Sequence, residues 1–284
     1  MKVFLAGENG KDKIIRQVHS EGISGRGSSV ERWGGYDQTI KEYKPYILES
    51  FYYVDADTER LLPYYGDFML DSGAFTFMMQ SKAKADWDEY IERYAEFINK
   101  HEVEKFFELD IDSVVGYEKV LALRKKLEKL TNRQPIPVWH SNRGVAEFKR
   151  QCDEYPYVAL GGIVGNEWRA GAEKHIPWFI SEAHRRGAKI HGLGYTKLTQ
   201  LERYHFDSVD STAWTAGNRF GYVYKFQDGK MLKYNVPKGK RLADSKKVAL
   251  INYVEWIKFQ KWAETHMKIR FATTRSKLRR KSNE

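Results

Sequence analysis

Short apolar runs alternate along the chain with amphipathic or polar stretches of helical length. This alternation is typical of βαβ units and predicts a parallel sheet covered by helices. Eight runs are predicted to be strands, at residues 3–6, 46–54, 68–70, 105–109, 136–139, 157–160, 189–192 and 205–209. Eight strands alternating with helices predict an α/β fold, the (β/α)8 TIM barrel.

The helices are predicted from apolar residues at spacings of three and four. The best pattern covers residues 86–100, and others cover 117–130, 173–186 and 244–265. The stretch 22–35 holds five glycines and is predicted to be a flexible loop. Residues 219–236 alternate around Asp228-Gly229, which predicts a β-hairpin insertion after strand eight. We therefore expect one domain over residues 1–265, followed by a basic tail over 266–284.

Lys and Arg number 48 against 38 acidic residues, which gives a net charge of +10 and favours a polyanionic partner. The excess is concentrated after His266. A solvated, partly disordered end explains this tail as well as phosphate contact does. The candidate nucleic-acid contacts are Lys197, Arg219, Lys268, Arg270, Arg279 and Arg280.

Membrane and secretory signals are missing from the pattern. No apolar run approaches the roughly 18 residues that cross a bilayer, and the N-terminal apolar stretch is too short for a secretory signal. With Cys152 as its one cysteine, the chain can form no intramolecular disulfide and has no Cys-x-x-Cys zinc spacing. We expect a cytoplasmic protein with no membrane partner, and a homo-oligomer is compatible with the sequence.

Polar residues at predicted strand ends are the candidates for chemistry, because barrel enzymes place their active residues there. Asp71 follows the third strand in FMLDSGAF, where capping or an Asx turn explains it equally well. Asp210 ends the eighth strand in FDSVDSTAW. One carboxylate can attack an anomeric carbon while a second handles a proton, so Asp210 and Asp71 are predicted to be a catalytic pair.

Further strand ends carry polar or flexible residues. Glu108, Asp110 and Asp112 alternate in FFELDIDS and predict either a metal site, recognition of a donor-rich ligand, or internal salt bridges. The remaining candidates are His140, His191, the pair Gly161-Gly162, and the glycines Gly192 and Gly194 in a region where many barrels bind phosphate.

The motifs LDSGAF, ELDID, PVWHS, ALGGIVG, HGLGYTK and SVDSTAW resemble, in this order, strand-end motifs of the tRNA-guanine transglycosylase superfamily. The match spans about residues 70–214. The resemblance implies that Asp210 is the nucleophile and that Asp71 handles the base proton. It implies a base site formed by Asp110, His140, Gly161, Gly162 and Ser72. His140 replaces the family's glutamine, and Ala74 replaces the second glycine of Asp-Ser-Gly-Gly-Phe.

The largest difference between this chain and that family concerns the zinc ligands. Its bacterial and archaeal tRNA-modifying members carry a three-Cys, one-His zinc site after the nucleophile, whereas this chain has only Cys152, far upstream. The resemblance is therefore closer to the phage-encoded branch that exchanges guanine in DNA for a 7-deazaguanine derivative. It implies no metal and no cofactor, with DNA favoured over tRNA as the partner and a 7-deazaguanine base as the second substrate.

Other functions remain open from the sequence. They are a zinc-free tRNA-guanine transglycosylase, a barrel glycoside hydrolase using the same aspartates, and a non-catalytic nucleic-acid-binding protein. A flipped-out nucleotide would also need stacking partners, for which Trp33, Trp168 and Trp214 are candidates. Ordinary packing in the core or at its rim is favoured for these tryptophans.

Overall fold

The computed structural model describes residues 1–7, 42, 44–80, 86–162, 172–195, 197–237, 239–240 and 245–267. The predicted loop at 22–35 and the tail after residue 267 lie outside the described residues, as do Trp33 and Trp168.

Seven parallel strands form one curled sheet, so the predicted α/β class is confirmed. The strands are β1 (Lys2–Ala6), β2 (Tyr46–Ser50), β3 (Asp67–Asp71), β4 (Val138–Trp139), β5 (Tyr157–Leu160), β6 (Lys189–Gly192) and β7 (Ser208–Ser211). Their order is β3-β2-β1-β7-β6-β5-β4. The first strand therefore lies inside the sheet, paired with β2 on one side and with the central strand β7 on the other.

From β2 onward, helices lie between successive strands, as predicted. The described α-helices are α1 (Ala56–Leu61), α2 (Ala74–Gln80), α3 (Trp87–Lys100), α4 (Asp112–Val115), α5 (Tyr117–Thr131), α6 (Gly144–Glu154), α7 (Ile176–Arg186), α8 (Leu198–Leu201), α9 (Ala213–Phe220) and α10 (Ser245–His266). Asp86 starts α3 because its carboxylate accepts hydrogen bonds from the free N–H groups of Asp88 and Glu89. Among the described helices, none combines the length and apolarity needed to cross a bilayer.

The two faces of the sheet enter different parts of the core. Alternate residues such as Phe4, Leu48, Met69 and Ala159 pack together on the concave face. Their neighbours along each strand pack against the surrounding helices in two larger clusters. Polar residues at the ends of the concave rows are consequently brought close to one another.

The predicted fourth strand, at residues 105–109, is present only as two isolated parallel bridges. Leu70 pairs with Phe106 on one side, and Phe107 pairs with Ile136 on the other. Backbone hydrogen bonds join this segment to both neighbours, among them Phe107 N to Leu70 O at 2.9 Å and Glu108 N to Ile136 O at 3.1 Å. Side chains supplement these bonds: the Tyr94 hydroxyl shares its proton between the carbonyls of Leu70 and Phe107, at 3.1 and 3.0 Å. On the other side, the carboxylate of Glu108 accepts from Val138 N at 2.8 Å.

The predicted hairpin is confirmed as a separate two-stranded sheet of β8 (Tyr222–Gln227) and β9 (Lys230–Asn235). Its turn needs positive φ at Asp228 (50°) and Gly229 (74°), as expected for Asp-Gly. The hairpin packs on α10, where Asn252 Oδ1 accepts from Tyr224 N at 2.7 Å.

Helix α10 also inserts a side chain between β1 and β2. The buried amide of Gln260 donates to Val3 O at 2.6 Å and to Tyr46 O at 2.8 Å, and accepts from Tyr46 N at 2.9 Å. These two strands pair directly only further along, at Leu5 and Ile47 and at the residues that follow them. Gln260 therefore completes the hydrogen bonding at the starts of both strands.

Candidate active site

Asp71 ends β3 and is partly buried beside a tight turn. Its carboxylate accepts from Gly73 N at 3.0 Å. Gly73 has φ +65°, and a Cβ there would lie 2.4 Å from Ser50 Oγ and 2.7 Å from the backbone of Tyr52. Only glycine fits this position, so the Asp-Ser-Gly sequence fixes the direction of the Asp71 carboxylate. The Asx-turn interpretation of Asp71 is thus correct, and it is compatible with a catalytic role.

The pKa of Asp71 is raised from 3.8 to about 6, mainly by burial and further by the negative charges of Asp110 and Asp210. The hydrogen bond from Gly73 N opposes this rise. Three carboxylates from three strand ends therefore act on one another electrostatically. A carboxyl group with a pKa near neutrality can both give and take a proton at physiological pH.

Asp210 lies on β7 and is 6% exposed. Its Oδ1 atom accepts from Gly194 N at 2.6 Å and lies 3.1 Å from His191 Nε2. The Gly194 N–H, which was a candidate phosphate contact, is thus directed at this carboxylate. Both polar neighbours of Asp210 come from the end of β6 and the turn that follows it.

A series of buried polar side chains on the concave face leads away from Asp210. His191 Nδ1 lies 2.5 Å from Ser208 Oγ, and Ser208 Oγ lies 2.5 Å from the Tyr157 hydroxyl. His191 is fully buried, and Ser208 is 1% exposed. We call Tyr157, Ser208, His191 and Asp210 the polar chain.

Asp110 and His140 form a second pair at neighbouring strand ends. His140 Nε2 lies 2.8 and 2.9 Å from the two carboxylate oxygens of Asp110. Gly161 makes room for this imidazole, since a Cβ there would lie 2.7 Å from His140 Cε1. The Gly161 N–H donates to Trp139 O at 2.9 Å, so its role is to admit His140 rather than to bind a ligand through its amide.

Arg143 holds the acidic residues of this region. Its Nε donates to Asp112 Oδ2 at 2.9 Å, while Nη2 lies 3.5 Å from Asp110 and Nη1 lies 3.3 Å from Glu108. Glu108 is fully buried and also accepts from Arg124 Nε at 2.6 Å. The salt-bridge interpretation is therefore correct for Glu108 and Asp112.

A cation could be held by Asp110, Asp112 and His140, whose ligand atoms all lie within 4.8 Å of one another. The guanidinium of Arg143 already supplies positive charge to both of these carboxylates. A metal ion would have to compete with that guanidinium. The expectation that the site needs no metal stays a prediction.

The other predicted site residues differ in their surroundings. Ser72 is 2% exposed, and its hydroxyl lies 3.5 Å from Ala74 N at the start of α2. Gly162 has φ +68°. Lys197 is exposed and pairs with Glu173. The side chain of Arg219 lies outside the description, as do Lys268, Arg270, Arg279 and Arg280.

Trp214 belongs to the core. It is 2% exposed, and its indole N–H donates to Ala6 O at 2.9 Å. A stacking contact with a nucleotide would need an accessible ring face. The packing interpretation is therefore correct for this tryptophan.

Sequence reasoning missed Arg143, Tyr157 and Ser208. The signal for Ser208 was available, because residues two apart on a strand share a face and Ser208 precedes Asp210 by two. Tyr157 could be found only by knowing that β5 lies beside β6, on the side away from β7. Arg143 lies in a short turn after β4. The sequence around it gives no sign that its side chain is buried.

Comparisons with known proteins add no family assignment. The chain matches no protein-family model, and a search of curated proteins finds no matching relative.

Proposed function

We propose that this protein is a DNA-guanine transglycosylase that exchanges guanine for a 7-deazaguanine derivative through a glycosyl-aspartate intermediate. The observation that carries the proposal is that Asp71, Asp110 and Asp210 lie at three strand ends, close enough for the charges of Asp110 and Asp210 to raise the pKa of Asp71. Base exchange needs one ionised carboxylate as nucleophile and a second group that gives and takes a proton.

Asp210 is the nucleophile in this proposal. One of its oxygens attacks C1′ of the target nucleotide, and the electron pair of the breaking C1′–N bond leaves with guanine, which takes up a proton. The incoming base then attacks C1′, loses a proton, and releases the Asp210 carboxylate. Asp71, with its pKa of about 6, gives the first proton and accepts the second.

The base site in this proposal is the pair Asp110 and His140. A guanine edge offers N–H donors and a carbonyl acceptor, which a carboxylate and an imidazole can match. Arg143 lies 3.5 Å from Asp110 and Gly161 admits the imidazole, so both groups are held in place before a base arrives.

We further propose that the sheet is a closed eight-stranded barrel in which residues 105–109 occupy the eighth position. The bridges to Leu70 and to Ile136 at the two edges of the seven-stranded sheet support this closure. In such a barrel the C-terminal strand ends surround one opening, and a nucleotide must leave the base stack to enter it. The net charge of +10 supports a nucleic-acid partner.

Base exchange is tested by incubating the protein with labelled guanine and either duplex DNA or tRNA. We expect label in DNA, and mass spectrometry of nucleosides after adding 7-deazaguanine bases would identify the preferred incoming base. Label in tRNA alone would overturn the choice of DNA, and label in neither would overturn the proposed reaction.

The nucleophile is tested with Asp210→Asn, which keeps an acceptor for Gly194 N. We expect loss of exchange and of any covalent protein–DNA adduct, with DNA binding retained. Asp153→Asn is the matched control, because Asp153 is an exposed aspartate on α6 whose salt-bridge partner is Arg186. Exchange retained by Asp210→Asn would remove Asp210 as the nucleophile.

A further inference from the structure

His191 has a place in the molecule that packing alone does not explain. It is fully buried on the concave face, with the rings of Phe4 and Phe107 at 6.5 and 5.4 Å between centroids. An imidazole in such surroundings needs partners for both ring nitrogens. Ser208 and Asp210 supply them, at 2.5 and 3.1 Å.

The hydrogen bonds of the polar chain can run in either of two donor-to-acceptor orders. Ser208 Oγ has two close neighbours, Tyr157 OH and His191 Nδ1, and has one proton to donate. If Ser208 donates to Tyr157, a neutral His191 must carry its proton on Nδ1. An unprotonated Nε2 would then face the Asp210 carboxylate, which is repulsive when that carboxylate is ionised.

The opposite direction satisfies every group. The Tyr157 hydroxyl donates to Ser208, the Ser208 hydroxyl donates to His191 Nδ1, and His191 Nε2–H donates to Asp210 Oδ1. Each bond in such a series strengthens the next. An ionised Asp210 therefore favours one tautomer of a neutral His191.

We propose that His191, in its neutral Nε2–H form, is a positioning residue for Asp210. This inference rests on the proposed function, in which Asp210 is the nucleophile. His191 and Gly194 N both bind Oδ1, and among the described residues no donor is bonded to Oδ2. The two donors thus hold one oxygen and direct the other, Oδ2, toward the anomeric carbon.

The tautomer is tested without any reaction by recording ¹⁵N NMR spectra of the histidine side chains in the full-length protein at neutral pH. The His191 signals are assigned by their loss in His191→Gln. We expect a protonated Nε2 and an unprotonated Nδ1 that accepts a hydrogen bond, and we expect Ser208→Ala to shift the Nδ1 signal. An Nδ1–H tautomer or an imidazolium in the wild-type protein would overturn the proposal.

The positioning role is tested by comparing His191→Gln with His191→Leu in the exchange assay. Glutamine can place an amide N–H near the position of Nε2, whereas leucine fills the space without a donor. We expect His191→Leu to lower kcat by about 10- to 100-fold with KM within about threefold, and His191→Gln to stay within about fivefold of wild type. Equal kcat values for the two variants would reduce His191 to a packing residue.

The two measurements separate the two proposals. A wild-type protein that shows the Nε2–H tautomer but exchanges no base would overturn the proposed function and leave the proton arrangement established. Exchange in the wild type together with the wrong tautomer would overturn the role of His191 alone. Should His191→Leu fail to fold, the wild-type and Ser208→Ala spectra still decide the tautomer.

Discussion

Replacing Asp71 by asparagine is expected to stabilise the folded protein at neutral pH. The carboxyl group is partly buried and feels the negative charges of Asp110 and Asp210, so its ionisation costs folding free energy. Asparagine has nearly the same shape and can still accept the hydrogen bond from Gly73 N. The substitution therefore removes the charge with little change in packing.

The size of the gain follows from the pKa of Asp71. The pKa is raised from 3.8 to about 6, and ionisation above both values costs about 3 kcal/mol of folding free energy. Because the folded-state pKa is the higher one, this cost is absent below about pH 4 and is complete only above about pH 6. The variant should gain about 3 kcal/mol at about pH 8 and almost nothing at about pH 4.

The assay is urea denaturation of both proteins across this pH range. Asp67→Asn is the matched control, because Asp67 lies at the other end of β3 and binds Lys2 and Lys105 at 2.5 and 2.7 Å. Burial raises the pKa of Asp67, but the hydrogen bonds from the two lysines outweigh it and leave the pKa lowered. Its ionised form stabilises the fold, so Asp67→Asn should destabilise the protein at neutral pH and less so in acid. A destabilised Asp71→Asn, or a gain that does not change with pH, would refute the reasoning.

Two further substitutions test the packing around the site and the sheet. Gln260→Leu should cost about 3 kcal/mol or more in urea denaturation, because three buried backbone groups of β1 and β2 lose their partner; a loss below about 1 kcal/mol would contradict this account. Gly161→Ala should cost about 1–3 kcal/mol in the same assay and displace His140 from Asp110, because the new methyl group would lie 2.7 Å from the imidazole. An unchanged stability together with an unmoved His140 in a crystal structure would show that the turn yields easily.

The elements of the fold were largely predictable because their signals are local. The apolar spacing of residues 86–100 predicts a helix, and the structure has one over Trp87–Lys100. The apolar run at 105–109 was recognised, but its hydrogen bonding was not. Tyr94 and Glu108 supplement the backbone hydrogen bonds there, and such long-range side-chain contacts leave no trace in the local pattern.

The candidate site was predictable only in part. Asp71 and Asp210 lie at strand ends as expected, because a polar residue directly after an apolar run indicates where a strand ends. The environment of Asp210 depends on β6 lying beside β7, and on β5 lying beside β6. His191 lies on β6, and its partners Ser208 and Asp210 lie on β7. They are 17 and 19 residues away from it in the sequence.

The insertion of Gln260 between the first two strands has a consequence for how the chain reaches its folded state. The starts of β1 and β2 obtain hydrogen-bond partners from a residue 257 positions after Val3. During synthesis these backbone groups of Val3 and Tyr46 stay bonded to water until residue 260 has left the ribosome. Contacts of such sequence separation slow folding and prolong the exposure of strand edges. Helix α10 is therefore expected to control when the nascent chain becomes resistant to proteases and aggregation.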